Sequence, residues 1–277
     1  MTTCLPGPEL TDAVGVSHPP AAPGARIVSL VPSLTELLCD LGLAPQLVGR
    51  TGFCIHPREV VKGIPKVGGT KDVRIERIRE LAPTHLVVNK DENEKPTVEK
   101  LAQFIPHIIA TFPCSPLDNP PLYRLLGGIF GRAERAETLC QAFLQAFGEL
   151  ARAAGDWPRE RVLYLIWKAP WMTISRDTYI SGFLAAAGWD TVPAEAVARY
   201  PRISLTSELM AGTDRVLLSS EPYSFGERHV AELKALFPPQ VGVQIVQGDY
   251  LSWYGSRAIT GLAYLRALRQ ELSQSRF

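Results

Sequence analysis

A chain of 277 residues, 46% of them apolar, is long enough to bury a sizeable core and suits two domains of ordinary size or one large one. Its 29 basic side chains are balanced by 28 acidic ones, which leaves no electrostatic footprint for nucleic acid or an anionic membrane. No apolar run approaches the ~20 residues of a membrane-spanning helix, so membrane insertion is not expected either.

Residues 1–24 are rich in Pro, Gly and Ala and lack the basic start and apolar centre of an export signal. They are expected to form a flexible N-terminal segment, and the chain as written favours the cytoplasm. An apolar strand over 26–31 follows. Ser33-Leu34-Thr35-Glu36 then has the spacing of a capping box and opens a helix that stops at Gly42. A strand over 47–49, a helix over 74–81, a buried strand over 85–89, a helix over 96–104 and a strand over 107–111 continue the alternation, which implies a mostly parallel sheet covered by helices.

Residues 133–154 are different. Ala136, Cys140, Phe143, Phe147, Leu150 and Ala154 recur at three- and four-residue spacing, one continuous helical stripe about 33 Å long. After a break at 155–158 the alternation resumes with a strand over 161–167, a helix over 179–187, a strand over 215–219, a helix over 227–237, a strand over 243–246 and a helix over 257–272. The chain is therefore expected to be α/β, two Rossmann-like lobes over 25–132 and 156–277 joined by a bridging helix over 133–155. The stretch 75–88 and the stretch 205–218 share a pattern of helix running into an apolar strand, which suggests a duplication.

Five cysteines, Cys4, Cys39, Cys54, Cys114 and Cys140, form no Cys-x-x-Cys pair and point to neither a disulfide framework nor a thiolate zinc site. Cys54-Ile55-His56 offers two ligands where zinc needs three or four, so no metal site is expected. There is no Gly-x-Gly-x-x-Gly after a strand, no P-loop, no Gly-x-Ser-x-Gly and no His-Glu-x-x-His. Aromatic residues instead follow three apolar strand-like runs: Trp167 and Trp171, then Tyr223 and Phe225, then Trp253 and Tyr254 with Arg257 close behind. Such residues at strand ends either cover the core or hold a flat, partly polar ligand. A non-catalytic binding protein fits this pattern; the alternative is an intracellular α/β enzyme using Asp91, Glu92 and His56 as acid and base.

The opening Arg26-Ile27-Val28-Ser29-Leu30-Val31-Pro32-Ser33-Leu34-Thr35-Glu36, the Val67-Gly68-Gly69 turn before Ile75-Glu76-Arg77-Ile78, the long central helix and the closing Trp253-Tyr254-Gly255-Ser256-Arg257 resemble the cobalamin-binding branch of the helical-backbone metal-chelate receptors. These are substrate-binding proteins of ABC importers. The resemblance, over about 26–272, implies a monomer with a ligand cleft between lobes, no catalysis, no intrinsic cofactor, and cobalamin or another metal chelate as ligand. It also implies the periplasm.

The first lobe's contribution to the cleft is then Phe53, His56, Lys71, Asn89, Asp91, Glu92 and Asn93. The second lobe adds Arg176 and Tyr200 to Trp167, Trp171, Tyr223, Phe225, Trp253, Tyr254 and Arg257. Asn93 equally suits the N-cap of the following helix, and His56 a structural loop position. Docking to a permease in this family uses one glutamate from each lobe. Glu76 matches the first, whereas the second falls on Thr206, with Glu208 two residues on as the substitute.

Overall fold

The computed structural model describes residues 10–274. Contacts among these residues divide the chain into two compact units. One holds the described residues up to Pro113 together with Leu117–Gln141, the other Cys114–Pro116 together with those from Ala142 onward.

The first unit runs β1 (Ile27–Ser29), α1 (Pro32–Asp40), β2 (Leu47–Arg50), α2 (Arg58–Val61), α3 (Ile75–Glu80), β3 (His85–Asn89), α4 (Lys95–Ala102), β4 (His107–Thr111) and α5 (Asn119–Ile129). Its four strands are all parallel, in the order β2-β1-β3-β4. Every residue of β3 is buried, as a central strand covered on both faces requires. Val28, Leu30, Leu86 and Val88 pack against Ile78 of α3 and Leu101 of α4 to form the core.

Helix α6 (Ala133–Ala154) is the element that the apolar stripe predicts. Ala136, Cys140, Phe143 and Leu150 are buried, Phe147 and Ala154 half-buried. The division between units falls inside this helix, after Gln141, rather than at either of its ends. Its start lies close on α5, where a Cβ on Gly127 would stand 2.5 Å from that of Ala136.

The second unit continues with β5 (Glu160–Leu165), α7 (Tyr179–Ala185), β6 (Trp189–Thr191), α8 (Ser207–Ala211), β7 (Arg215–Ser219), α9 (Glu227–Leu236), β8 (Gly242–Val246), α10 (Gly248–Ser252) and α11 (Arg257–Gln274). Its sheet is again wholly parallel, in the order β6-β5-β7-β8. The winding is thus the same in both units, and the α3–β3 and α8–β7 segments singled out by sequence pattern hold equivalent places in it.

Three expectations need correction. Ser33 does not cap α1: Val31 is the N-cap, Pro32 with its preset φ is the first helical residue, and the Ser33 hydroxyl is buried without a partner. Thr35 Oγ1 instead lies 2.8 Å from Ser29 Oγ of β1 and 2.9 Å from the N-cap carbonyl Val31 O, which ties the first turn of the helix back to the strand before it. Asn93 does not cap α4 either, since Glu94 is its N-cap. Strand β6 was not foreseen because three residues on a sheet edge carry too little periodicity.

The N-terminal segment divides at the limit of the described residues. Residues 1–9 lie outside them, but 10–21 are tied to the first unit. The buried Asp12 carboxylate accepts from the amides of Val14, Val16 and Ala110 and pairs with His18 at 3.1 Å. The Ala21 amide donates to Ile129 O at 2.7 Å.

A second buried carboxylate organises the other unit. Glu160, at the start of β5, accepts from Arg215 of β7 at 3.0 Å and from Trp189 Nε1 of β6 at 2.8 Å, and lies 3.7 Å from Arg269 of α11. Burial raises this carboxyl, and the hydrogen bonds and charges of Arg215, Trp189 and Arg269 outweigh it, so the group sits below the ordinary carboxylate range. Replacing Glu160 by Ala leaves the buried Arg215 guanidinium without its carboxylate and the Trp189 indole N–H without its acceptor, removes the negative charge beside Arg269, and is expected to cost about 3–5 kcal/mol. Arg161→Ala, one residue along, removes only an exposed pair with Asp214 and should barely move the urea midpoint. Equal effects of the two substitutions in urea titrations would refute this ranking.

Candidate functional site

In each sheet the winding reverses beside the first strand, between β1 and β3 and between β5 and β7. Open parallel sheets bind ligands beyond the carboxyl ends of their strands at such points.

At that edge of the second unit, the chain leaves β5 and folds back on itself. The Ile166 amide donates to Met172 O and the Met172 amide to Trp167 O, with Ala169 at the tip in the left-handed region, φ 61°. Residues 199–203 pair alongside, through Thr173 N to Pro201 O and Ile203 N to Trp171 O, which sets Tyr200 on the same loop system. Four of the expected aromatics meet here. Trp171 stacks on Phe225 with ring centres 6.2 Å apart and planes 6° apart, Phe225 meets Tyr223 at 4.6 Å, and Tyr223 meets Trp167 edge-on at 5.3 Å. Trp167 and Tyr200 keep large exposed faces, whereas Phe225 is buried beneath. Lys168 pairs with Glu232 and lies 5.2 Å from the Trp171 ring.

The third loop joins through polar groups. Trp253 Nε1 donates to Glu221 Oε1 at 2.8 Å, and Ser252 Oγ donates to the same oxygen at 3.0 Å. Arg257 donates to Asp249 Oδ2 at 2.7 Å, with its guanidinium 4.8 Å from the Trp253 ring. Burial raises the Glu221 carboxyl and nearby Asp249 adds to this; the bonds from Ser252 and Trp253 and the charge of Arg257 pull the other way without cancelling it. Two glycines allow the approach. A Cβ on Gly248 would stand 2.4 Å from Ser219 Oγ and 2.7 Å from the Glu221 side chain, and one on Gly261 would stand 2.1 Å from Tyr250 O. Trp253 and Tyr254, adjacent in sequence, thus part company: Trp253 is half-exposed on the polar constellation, while Tyr254 is buried edge-on against Tyr179 at 5.8 Å. Arg176 is exposed and donates to Thr191 O at 3.2 Å.

The first unit presents a more polar edge. Phe53 is 63% exposed on a loop anchored by Cys54, whose buried sulfur lies 3.0 Å from Thr35 Oγ1 and 3.1 Å from Thr51 Oγ1. Burial pushes that thiol up, so Cys54 serves packing; His56 is half-buried farther along the loop. Asn89 and Asn93 are buried and build the turn after β3. Asn89 Oδ1 accepts from the amides of Asp91 and Glu92, Asn93 Oδ1 accepts from Asn89 N, and Asn93 Nδ2 donates to Thr70 O. Asp91 and Lys71 are exposed and Glu92 half-exposed. No three His, Cys, Asp or Glu side chains among the described residues gather as a metal site.

Glu76 and Glu208 occupy the second position of α3 and of α8 respectively. Thr206 is the N-cap of α8, its hydroxyl accepting from Leu209 N at 3.2 Å, and Glu208 stands at the same helical position in α8 as Glu76 in α3. Both glutamates are exposed, Glu76 in a pair with Arg79. Sequence reading passed over Glu221 and Asp249. Glu221 stands two residues before Tyr223, where the aromatics draw the eye, and Asp249 stands eight residues before Arg257, a spacing with no meaning until α10 turns it back.

Among curated proteins, the vitamin B12-binding protein of Pectobacterium atrosepticum is 24% identical over 241 residues, covering 84% of each chain. That of Vibrio vulnificus is 23% identical over 221 residues, 80% of this chain and 78% of its own. Of solved structures, the periplasmic vitamin B12 binding protein of Vibrio cholerae matches with a TM-score of 0.76 at 20% identity, over 90% of this chain and 97% of its own. The periplasmic heme-binding protein of Roseiflexus sp. RS-1 matches at 0.77 and 22% identity, over 90% and 99%. The family model described as periplasmic binding protein matches residues 27–209, well over half of the sequence, and the chain belongs to that family of binding proteins.

Proposed function

We propose that this protein binds a cobalamin-like metal chelate, with the aromatic wall of the second unit as its stacking surface and the Glu221–Trp253–Asp249–Arg257 constellation as its hydrogen-bonding fringe. The observation that carries the reading is the joining of these two surfaces at one sheet edge. A corrin is an apolar disc fringed with amides, and it needs both kinds of contact at once. Relatives named for vitamin B12 binding support the choice of ligand. At the equivalent edge of the first unit, His56, Lys71, Asp91 and Glu92 are proposed contributors of polar contacts and the exposed Phe53 ring of an apolar one. The protein acts as the periplasmic substrate-binding component of an importer, with Glu76 and Glu208 as its docking pair.

Titration with cyanocobalamin, cobinamide and haem, followed by tryptophan fluorescence and absorbance, is expected to give saturable one-to-one binding. Trp253→Ala should weaken it by about 1–3 kcal/mol, roughly 5- to 150-fold. A folded protein that responds to none of the three tetrapyrroles removes this ligand assignment.

Glu221 carries a cost of its own. Its folded pKa is raised above the ordinary 4.5, so the folded form is favoured below that value and loses ground as pH rises through the shifted one. Glu221→Gln keeps a carbonyl acceptor for Trp253 and Ser252. It should therefore raise the melting temperature at pH 7, by a margin that closes toward pH 4. Melts showing a lower or pH-independent difference would contradict the assignment of Glu221 as a strained carboxylate.

Glu76→Arg with Glu208→Arg is expected to abolish cobalamin uptake by cells while leaving the affinity of the purified protein unchanged. Uptake unaffected by the double variant, or recovery of the protein from cytoplasmic fractions alone, would separate binding from import.

A further inference from the structure

The aromatic wall of the second unit has an imidazole behind it. His229 is buried at the third position of α9. Its ring centre lies 5.6 Å from that of Tyr223 and 5.3 Å from that of Phe225, edge-on in both pairs. The Gly226 amide, at the N-cap of α9, donates to His229 Nδ1 at 2.9 Å, so the side chain of the third helical residue reaches back to the cap. A backbone N–H can only donate. Nδ1 therefore presents its lone pair, and the single proton of the neutral ring sits on Nε2, 3.5 Å from Tyr223 Oη.

Gly226 directly follows Phe225, so the bond from its amide anchors the segment that carries both Tyr223 and Phe225. A second proton on the ring has only Nδ1 to occupy, where it would meet the Gly226 N–H. The charged ring and the capping bond exclude each other. The titratable and charged groups around the ring are Tyr223 from the loop after β7, Lys168 from the hairpin after β5, and Arg228 and Glu232 from α9; with Ala169 and His229 they line a cavity of about 360 Å³. Glu232 is already paired with Lys168. Burial lowers the His229 pKa, Arg228 and Lys168 lower it further, and Glu232 opposes them without cancelling the effect. The capped arrangement is thus held in full above the ordinary histidine value of 6.5 and lost as pH falls through the lowered one.

We propose that His229 is a positioning residue that makes the aromatic wall sensitive to acid: the neutral ring holds the Tyr223–Phe225 segment through Gly226, and protonation frees that segment and loosens the tetrapyrrole stacked on it. The ligand half of this statement rests on the proposed binding site. The half that concerns the wall belongs to the free protein.

The test therefore begins without ligand, by NMR from about pH 7.5 to about pH 4.5, the span over which histidines titrate. The His229 Cε1–H signal, identified by its absence from His229→Asn, is expected to titrate below 6.5, and the Gly226 amide to lose hydrogen-exchange protection with the same midpoint. Cyanocobalamin affinity, measured over the same span, should fall by up to about tenfold per pH unit, the limit for one linked proton. His229→Asn retains an acceptor for the Gly226 amide in its Oδ1 and takes up no proton. It should bind like the wild type at pH 7 and show a distinctly flatter pH profile. A His229 that stays neutral throughout, a His229 that titrates while the Gly226 amide stays protected, or identical pH profiles of affinity in the two proteins each overturn the proposal. Absence of tetrapyrrole binding removes the ligand assignment alone, and the joint titration of His229 and Gly226 in the free protein then decides whether the switch exists.

Discussion

A carboxylate withdrawn from water must be matched by donors close at hand, because its desolvation costs several kcal/mol. Glu160 satisfies that demand with partners from three other elements of the second unit: Trp189 of β6, Arg215 of β7 and Arg269 of α11. The carboxylate thereby fixes both neighbours of β5 and the position of the last helix against them. The functional edge inherits that order. Helix α11 begins with Arg257, which holds Asp249, and packs against α10 at Gly261, so the polar fringe around Trp253 stands on the helix that Arg269 anchors about three turns away.

The two ends of the sheet treat electrostatics differently. At the strand starts, buried charge is compensated and Glu160 stays below its ordinary range. At the strand ends, Glu221 is raised, pressed among aromatic and hydroxyl groups with Asp249 nearby. The first arrangement adds to the stability of the sheet, whereas the second takes from it.

How much of this was visible in sequence depended on the range of the interaction. The stripe of Ala136, Cys140, Phe143 and Leu150 declares α6 because helical periodicity is local, and the strands His85–Asn89 and Arg215–Ser219 declare themselves as short apolar runs. Aromatics placed just after strands lie on neighbouring loops of the second unit, and four of them meet. Yet Phe225 and Tyr254 turned out buried while Trp253 stayed accessible, since a side chain's direction in an irregular loop follows no period. Asn89 and Asn93, expected at a ligand, hydrogen-bond the backbone of the turn that carries Asp91 and Glu92, a role no local pattern announces. Glu160, Trp189, Arg215 and Arg269 lie too far apart in the chain for any motif to join them, and Ser33 fits a capping pattern that Pro32 pre-empts one residue earlier.

The identical winding of the two sheets bears on how the polypeptide is made. Neither sheet borrows a strand from the other unit: β1 to β4 are finished by Thr111, and β5 to β8 lie between Glu160 and Val246. A ribosome releasing the chain from its amino end delivers all four strands of the first sheet before any strand of the second emerges. Two sheets of the same topology in one molecule invite strand exchange when both are unfolded together. Synthesis in sequence separates them in time, so refolding from denaturant faces a hazard of mispairing that translation avoids.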